Sequence, residues 1–156
     1  MRTISMLLAM NDLQVLAITC SQGILSPSSG AMKVNSLLAQ YYHNGFPIDR
    51  SNTIDYPYPS WNRYAEGIQW GNEYTKVRFA KNSIELLNSV SANYLHKITL
   101  IALGSLKTYA DWFKNNPSIA QKVDRIIWYN ASEQNTCFNY LIDTASFSFF
   151  QKSNIP

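Results

Sequence analysis

Lys97 to Ala110, KITLIALGSLKTYA, decides how the rest of the chain is read. Ile98 to Leu103 is an apolar run of strand length, and it stops at Gly104. From Ser105 the spacing turns helical and predicts a helix to Phe113, closed by Asn115-Asn116-Pro117. A strand, a tight turn and a helix whose free N–H groups face the strand's carboxyl end form the unit of α/β sheets. Ligands of open α/β sheets bind at that edge.

The neighbouring segments repeat the unit. Leu13 to Thr19 reads as a strand, followed by a Ser, Gly and Pro loop over 21–30. Ala31, Val34, Leu38 and Tyr41 then fall at helical spacing, ended by Asn44-Gly45, and Phe46-Pro47-Ile48 reads as a very short strand. Ile84, Leu87, Val90 and Tyr94 mark a second amphipathic helix over Ala80 to Tyr94. Downstream, Pro117 suits the first turn of a short helix to Val123, and Arg125 to Tyr129 is again a strand. This alternation predicts an α/β fold, a mostly parallel sheet with helices on both faces, in a single domain over 1–156. Thr3 to Met10 resembles the last two turns of a helix that lacks its start. The apolar end, Phe147 to Phe150, requires a packing partner inside or outside the chain.

Asp49 to Thr75 has no usable periodicity and carries two prolines and many aromatics. A loop this long is an insertion or a lid, and Trp61, Tyr64 and Trp70 suit either stacking on a base or packing against the body.

With 46% hydrophobic and 15% charged residues the chain is globular. The net charge of +3 comes from singly scattered lysines and arginines, with no run that would follow a phosphate backbone, so a nucleic-acid partner is not expected. The apolar stretch Ile4 to Met10 is too short for a membrane span, and no targeting segment is read, which favours the cytoplasm. Cys20 and Cys137 lack metal spacing, and Asn130-Ala131-Ser132 has the form of a glycosylation sequon. No GxGxxG, Walker A, GxSxG or HExxH pattern occurs. His43 and His96 stand alone at helix ends, and no pair of carboxylates is brought together by spacing.

Three stretches carry a family resemblance. Ser5 to Thr19, SMLLAMNDLQVLAIT, is similar to the helix and strand that follow the opening aspartate cluster of the inosine-uridine preferring nucleoside hydrolases. Ile98 to Ala110 resembles that family's ITLVALGPLTNLA, with Pro117 to Trp128 in place of its PEIAxRVxxIVxM. Cys137 to Asp143, CFNYLID, resembles EFNxxxD. The resemblance implies hydrolysis of the N-glycosidic bond of ribonucleosides, with a calcium ion activating the attacking water. It places the Leu103 backbone carbonyl as a metal ligand and Asn139 and Asn35 at the ribosyl group. The family's opening DxDxGxDD finds no counterpart, Cys137 replaces a glutamate, and Ser105, Lys107 and Thr108 replace Pro, Thr and Asn. The expectation is therefore the N-terminal half of such an enzyme, weakly active or inactive alone. The alternative is a non-catalytic ribosyl-binding module, or a structural module whose apolar tail completes a homo-oligomer.

Overall fold

The computed structural model describes residues 1–71, 82–130, 137–153 and 155. Around the deciding stretch, β3 (Ile98–Ala102) pairs in parallel with β4 (Val123–Trp128), Ile101 opposite Ile127 and Ala102 opposite Trp128, with an irregularity between Ile98 and Thr99. Between them run α5 (Lys107–Asn115) and a 3-10 turn (Pro117–Gln121). The helix begins two residues later than its spacing suggests, because Ser105 and Leu106 complete the turn out of the strand. Pro117 opens the 3-10 turn, which is tighter than the helix expected there.

Alternation along the strands separates the two faces of this sheet. Leu100 and Ala102 point into a core made with Leu87, Trp112, Phe113, Ile119 and Val123. α7 (Thr144–Lys152) closes that core, with Phe150 edge-on to Phe113 at 5.5 Å and Phe147 beside Trp128 at 5.4 Å. The apolar tail thus finds its partner within the chain. Trp112 is fully buried, and its indole N–H donates to Asn88 Oδ1 at 2.8 Å, locking α5 to α4 (Ser83–Asn93). The opposite face of the sheet carries Ile101 beside Ile127, and Ile127 and Tyr129 are 51% and 62% exposed.

The other pair is β1 (Ile18–Cys20) and β2 (Ile48–Arg50), also parallel, with Ile18 opposite Ile48. β1 is shorter than its apolar run because residues 13–17 pair with no strand among the described residues. α2 (Pro27–Gln40) crosses between these strands and packs on both. It starts four residues before the first apolar position of its periodicity: Ser26 Oγ accepts from Ser29 N at 3.0 Å, and Pro27 fills the first helical position. It ends with His43 N–H on Leu38 O at 2.9 Å and Tyr42 N–H on Ala39 O at 3.1 Å. This closure puts Tyr42 in the left-handed region at φ 61°, a conformation glycine adopts more cheaply. α1 (Arg2–Ala9) has no side-chain cap and buries no residue.

Among the described residues the strands form these two two-stranded parallel pieces. Among the described residues, side-chain hydrogen bonds help join them. The Tyr109 hydroxyl on α5 donates to Ile101 O of β3 at 3.2 Å and is hydrogen-bonded with the Thr19 side chain of β1. Ser51 Oγ, just past β2, is hydrogen-bonded to Thr108 Oγ1. Within the irregular segment a short helix appears, α3 (Asn62–Gly67), and residues 72–75 of that segment lie outside the described residues, as do Ala80 and Lys81 of the expected helix start.

Candidate functional site

All four strands are parallel within their pairs, so their carboxyl ends carry the loops that could meet a ligand. β3 gives Leu103, Gly104 and Ser105, and β4 gives Tyr129 and Asn130. Asn139, in the single turn α6 (Phe138–Leu141), joins the two: its side-chain amide donates to Leu103 O at 3.2 Å and to Tyr129 O at 3.0 Å. With both protons so used, Oδ1 faces away from the strands and can accept from a ligand hydroxyl. Gly104 O is taken by the Trp128 indole N–H at 2.9 Å. Here Asn139 and Leu103, named separately from sequence, stand in direct contact.

Among the described residues, three buried polar atoms of this region have no partner: Ser105 Oγ, Asn130 Oδ1 and Asp143 Oδ2. Asp143 uses its other oxygen to cap α7, accepting from Ser146 N at 3.2 Å. Unpaired buried polar atoms are uncommon in folded chains and mark places where a ligand or water completes the hydrogen bonding.

Gln22, invisible in the sequence as one polar residue of a Ser and Gly loop, organises the roof. It is 2% exposed; its Oε1 accepts from Ile54 N at 2.7 Å and its Nε2 donates to Tyr56 O at 3.0 Å. This holds the segment after β2 over the end of β1, and Tyr56 then meets Phe138 edge-on at 6.0 Å, next to Asn139. The Asn62 side-chain amide donates to Ile24 O and ties α3 to the loop after β1. Of the aromatics that could stack on a base, Trp61 and Tyr64 are 52% and 75% exposed, whereas Tyr56, not singled out earlier, reaches the site.

Asn35 lies in the middle of α2, half-buried, and no described contact brings it to Asn139. It is Lys33, two residues earlier, that makes the long-range connection. Its ammonium is buried and donates to Glu66 O at 2.9 Å and Ile68 O at 2.6 Å, closing the end of α3. A Cβ on Gly71 would run into the Ser36 backbone, so the same segment lies flat against α2.

The donor set does not fit calcium. Among the described residues no three of His, Cys, Asp and Glu converge, and the Leu103 carbonyl already accepts from Asn139. A hard cation requires several oxygen ligands, chiefly carboxylates. His43 and His96 are exposed and apart from the strand ends, His96 lying edge-on to Tyr94 at 5.6 Å. Burial, together with the negative charge of Asp49, pushes the Cys20 thiol up to about 12, so it is an inert apolar residue at neutral pH.

No protein-family model matches the chain and no curated protein matches its sequence. Solved structures do. The inosine-uridine preferring nucleoside hydrolase from Bacillus anthracis superposes with a TM-score of 0.77 at 18% identity, over 96% of this chain and 56% of that one. A purine-preferring ribonucleoside hydrolase from Gardnerella vaginalis gives 0.78 at 12% identity, over 92% of this chain and 51% of that one. A plant nucleoside hydrolase gives 0.77 at 18% identity, over 90% and 49%. The fold is therefore that of the nucleoside hydrolases, and the chain spans about half the length of the structures it matches.

Proposed function

We propose that this chain binds a ribonucleoside through its ribosyl group at the carboxyl edge of β3 and β4, in the manner of a nucleoside hydrolase whose reaction is cleavage of the N-glycosidic bond. The observation that carries the reading is Asn139. Its amide protons are fixed on two strand-end carbonyls, which leaves a rigid acceptor at the place where the fold's ligands sit. Tyr56, held down through Gln22 and Phe138, supplies an aromatic edge beside it. Asn35 of α2 is proposed as a second contact to the ribosyl group.

On this reading the described residues bind and orient, and no three histidine, cysteine or carboxylate side chains converge among them. Turnover by this chain alone is therefore expected to be weak or absent. Incubation with inosine or uridine, with release of free base followed by chromatography and a thermal-shift series with ribose and nucleosides, tests both halves. Stabilisation by nucleosides with little base release supports the reading. No stabilisation by any nucleoside overturns it.

The sparse acid-base chemistry favours a second reading, a non-catalytic ribosyl-binding module on the same fold. It is separated from the first by mixing the chain with a source of the missing carboxylates, a full-length inactive nucleoside hydrolase: base release on mixing favours the enzyme. A homo-oligomer in solution is proposed for either, through the open face of β3 and β4 described above.

A further inference from the structure

Each strand pair has an edge turned toward the other pair, and among the described residues no backbone fills the space between them. Ile18 N–H donates to Pro47 O at 2.9 Å and Cys20 O accepts from Ser51 N at 3.0 Å, so these groups of β1 face β2. Backbone groups alternate in direction along a strand, which turns the N–H and C=O of Thr19 to the opposite edge. In β3, Ile98 N–H donates to Lys122 O and Ala102 O accepts from Tyr129 N, both at 2.9 Å, so Thr99 and Ile101 face away from β4 in the same way. The Tyr109 hydroxyl stands between the two edges, on Ile101 O at 3.2 Å and beside the Thr19 side chain.

The gap has the shape of a wedge. It closes at the carboxyl ends, where a Cβ on Gly104 would meet Ser21 Oγ at 3.0 Å. Toward the amino ends it opens. Thr99 is exposed and none of Ile18–Cys20 is buried, although strands inside a parallel sheet are ordinarily buried on both faces. An open cavity of about 260 Å³ lies between Leu16 on one side and Ser89, Val90, Asn93 and Tyr94, which lead into β3, on the other. Leu13 to Ala17 has the apolar sequence of a strand and finds no strand to pair with among the described residues.

We propose that this wedge accepts an extended strand donated by a different polypeptide, which pairs with residues 13–19 on one edge and with Thr99 and Ile101 on the other, and so joins the two sheets into one. The occupant is a peptide because a second backbone matches two facing rows of main-chain donors and acceptors. Its chemistry follows from the walls: β-branched aliphatic residues where it passes Leu16, Val90 and the Tyr94 ring, with neither proline nor charge along its middle. This chain spans about half of the structures that superpose on it, so the same fold elsewhere holds further polypeptide beyond the part matched here.

The test is hydrogen exchange read residue by residue by NMR, with the synthetic peptide KVTVIVK as the probe and a form carrying proline at its centre as the control. In the free chain the amides of Thr19, Thr99 and Ile101 are expected to exchange fast and those of Cys20 and Leu100 slowly. Saturating peptide slows the first set, together with Val15 and Ala17, by about ten-fold or more. Tyr109→Phe clears Ile101 O and Thr19, so it lowers melting temperature yet tightens peptide binding several-fold; a tyrosine of purely structural role changes the first and not the second. Thr99→Pro removes an N–H that makes no bond to β4, so melting temperature holds while peptide binding is lost. Leu16→Lys, at a half-buried position with no strand partner, gives the same result without touching β3. Edge amides already protected in the free chain, protection that rises with chain concentration in the absence of peptide, or equal binding of the proline form overturns the proposal. So does an absence of added protection at every peptide concentration.

Discussion

At the scale of single residues, side-chain amides and one buried ammonium carry more of the structure than its few charges do. Asn139 makes this concrete. Asn139→Ala removes the donor shared by Leu103 O and Tyr129 O together with the free acceptor. Because the residue is partly accessible, water replaces its protons on the carbonyls. The expected loss falls on affinity: nucleoside binding weakens about ten-fold by calorimetry, with little change in melting temperature. Lys33→Met behaves oppositely. It takes the shared ammonium donor from Glu66 O and Ile68 O and puts a thioether in its buried place, and a cost of about 1 to 3 kcal/mol in urea unfolding is expected, with faster proteolysis of the α3 segment. Asn139 and Leu103 came to notice only through the resemblance of the CFN and LIALG stretches to a family's motifs, and the structure puts the two in contact. Lys33 and Gln22 did not come to notice, since one looks like an ordinary surface lysine and the other like loop filler, and only tertiary contacts give them partners.

The elements read from the sequence were mostly legible in type and order, less so in extent, and α3, α6 and α7 were not read. The pattern around Gly104 gave β3 and α5 because an apolar run and a helical period meet there. α2 was read too short because its first turn, Pro27 to Gly30, contributes little apolar periodicity, while its true signal is the Ser26-Pro27 cap. Ser26→Ala is expected to cost about 1 kcal/mol, seen as a lower melting temperature. At the other end of the same helix Tyr42 is 91% exposed and held at positive φ. Tyr42→Gly relieves that conformation and is expected to raise stability by about 1 kcal/mol. A neutral or destabilising result would show that the tyrosine ring makes a compensating contact. β1 was read too long because apolar sequence specifies burial on a face, whereas strand pairing also needs a neighbour, and residues 13–17 have none among the described residues.

At the scale of the molecule, two small parallel sheets are joined in part through Tyr109 and Ser51, and among the described residues one face of the β3 and β4 pair is left open. Parallel sheets ordinarily have both faces covered. Ile127 and Tyr129 are therefore expected to drive association as concentration rises, measured by light scattering, and Ile127→Lys to return the chain to monomer with its circular dichroism unchanged. The joint between the sheets also has a pH signature. Burial pushes the Tyr109 phenol up from 10 to about 12, against a smaller lowering by its Thr19 hydrogen bond, and Cys20 rises from 9 to about 12 by burial and then by Asp49. Both groups are neutral in the fold and ionise earlier when unfolded. Their stabilisation is complete below pH 9 and is lost as pH climbs to about 12, so urea midpoints should fall across that window. Tyr109→Phe should remove the tyrosine share of the slope. The same phenol serves as an optical clock. In an alkaline pH jump the accessible tyrosines ionise within mixing time, whereas Tyr109 acquires its phenolate absorbance only when Thr19 and Ile101 let go of it. The lag of that last increment is the lifetime of the contact between the two halves of the sheet.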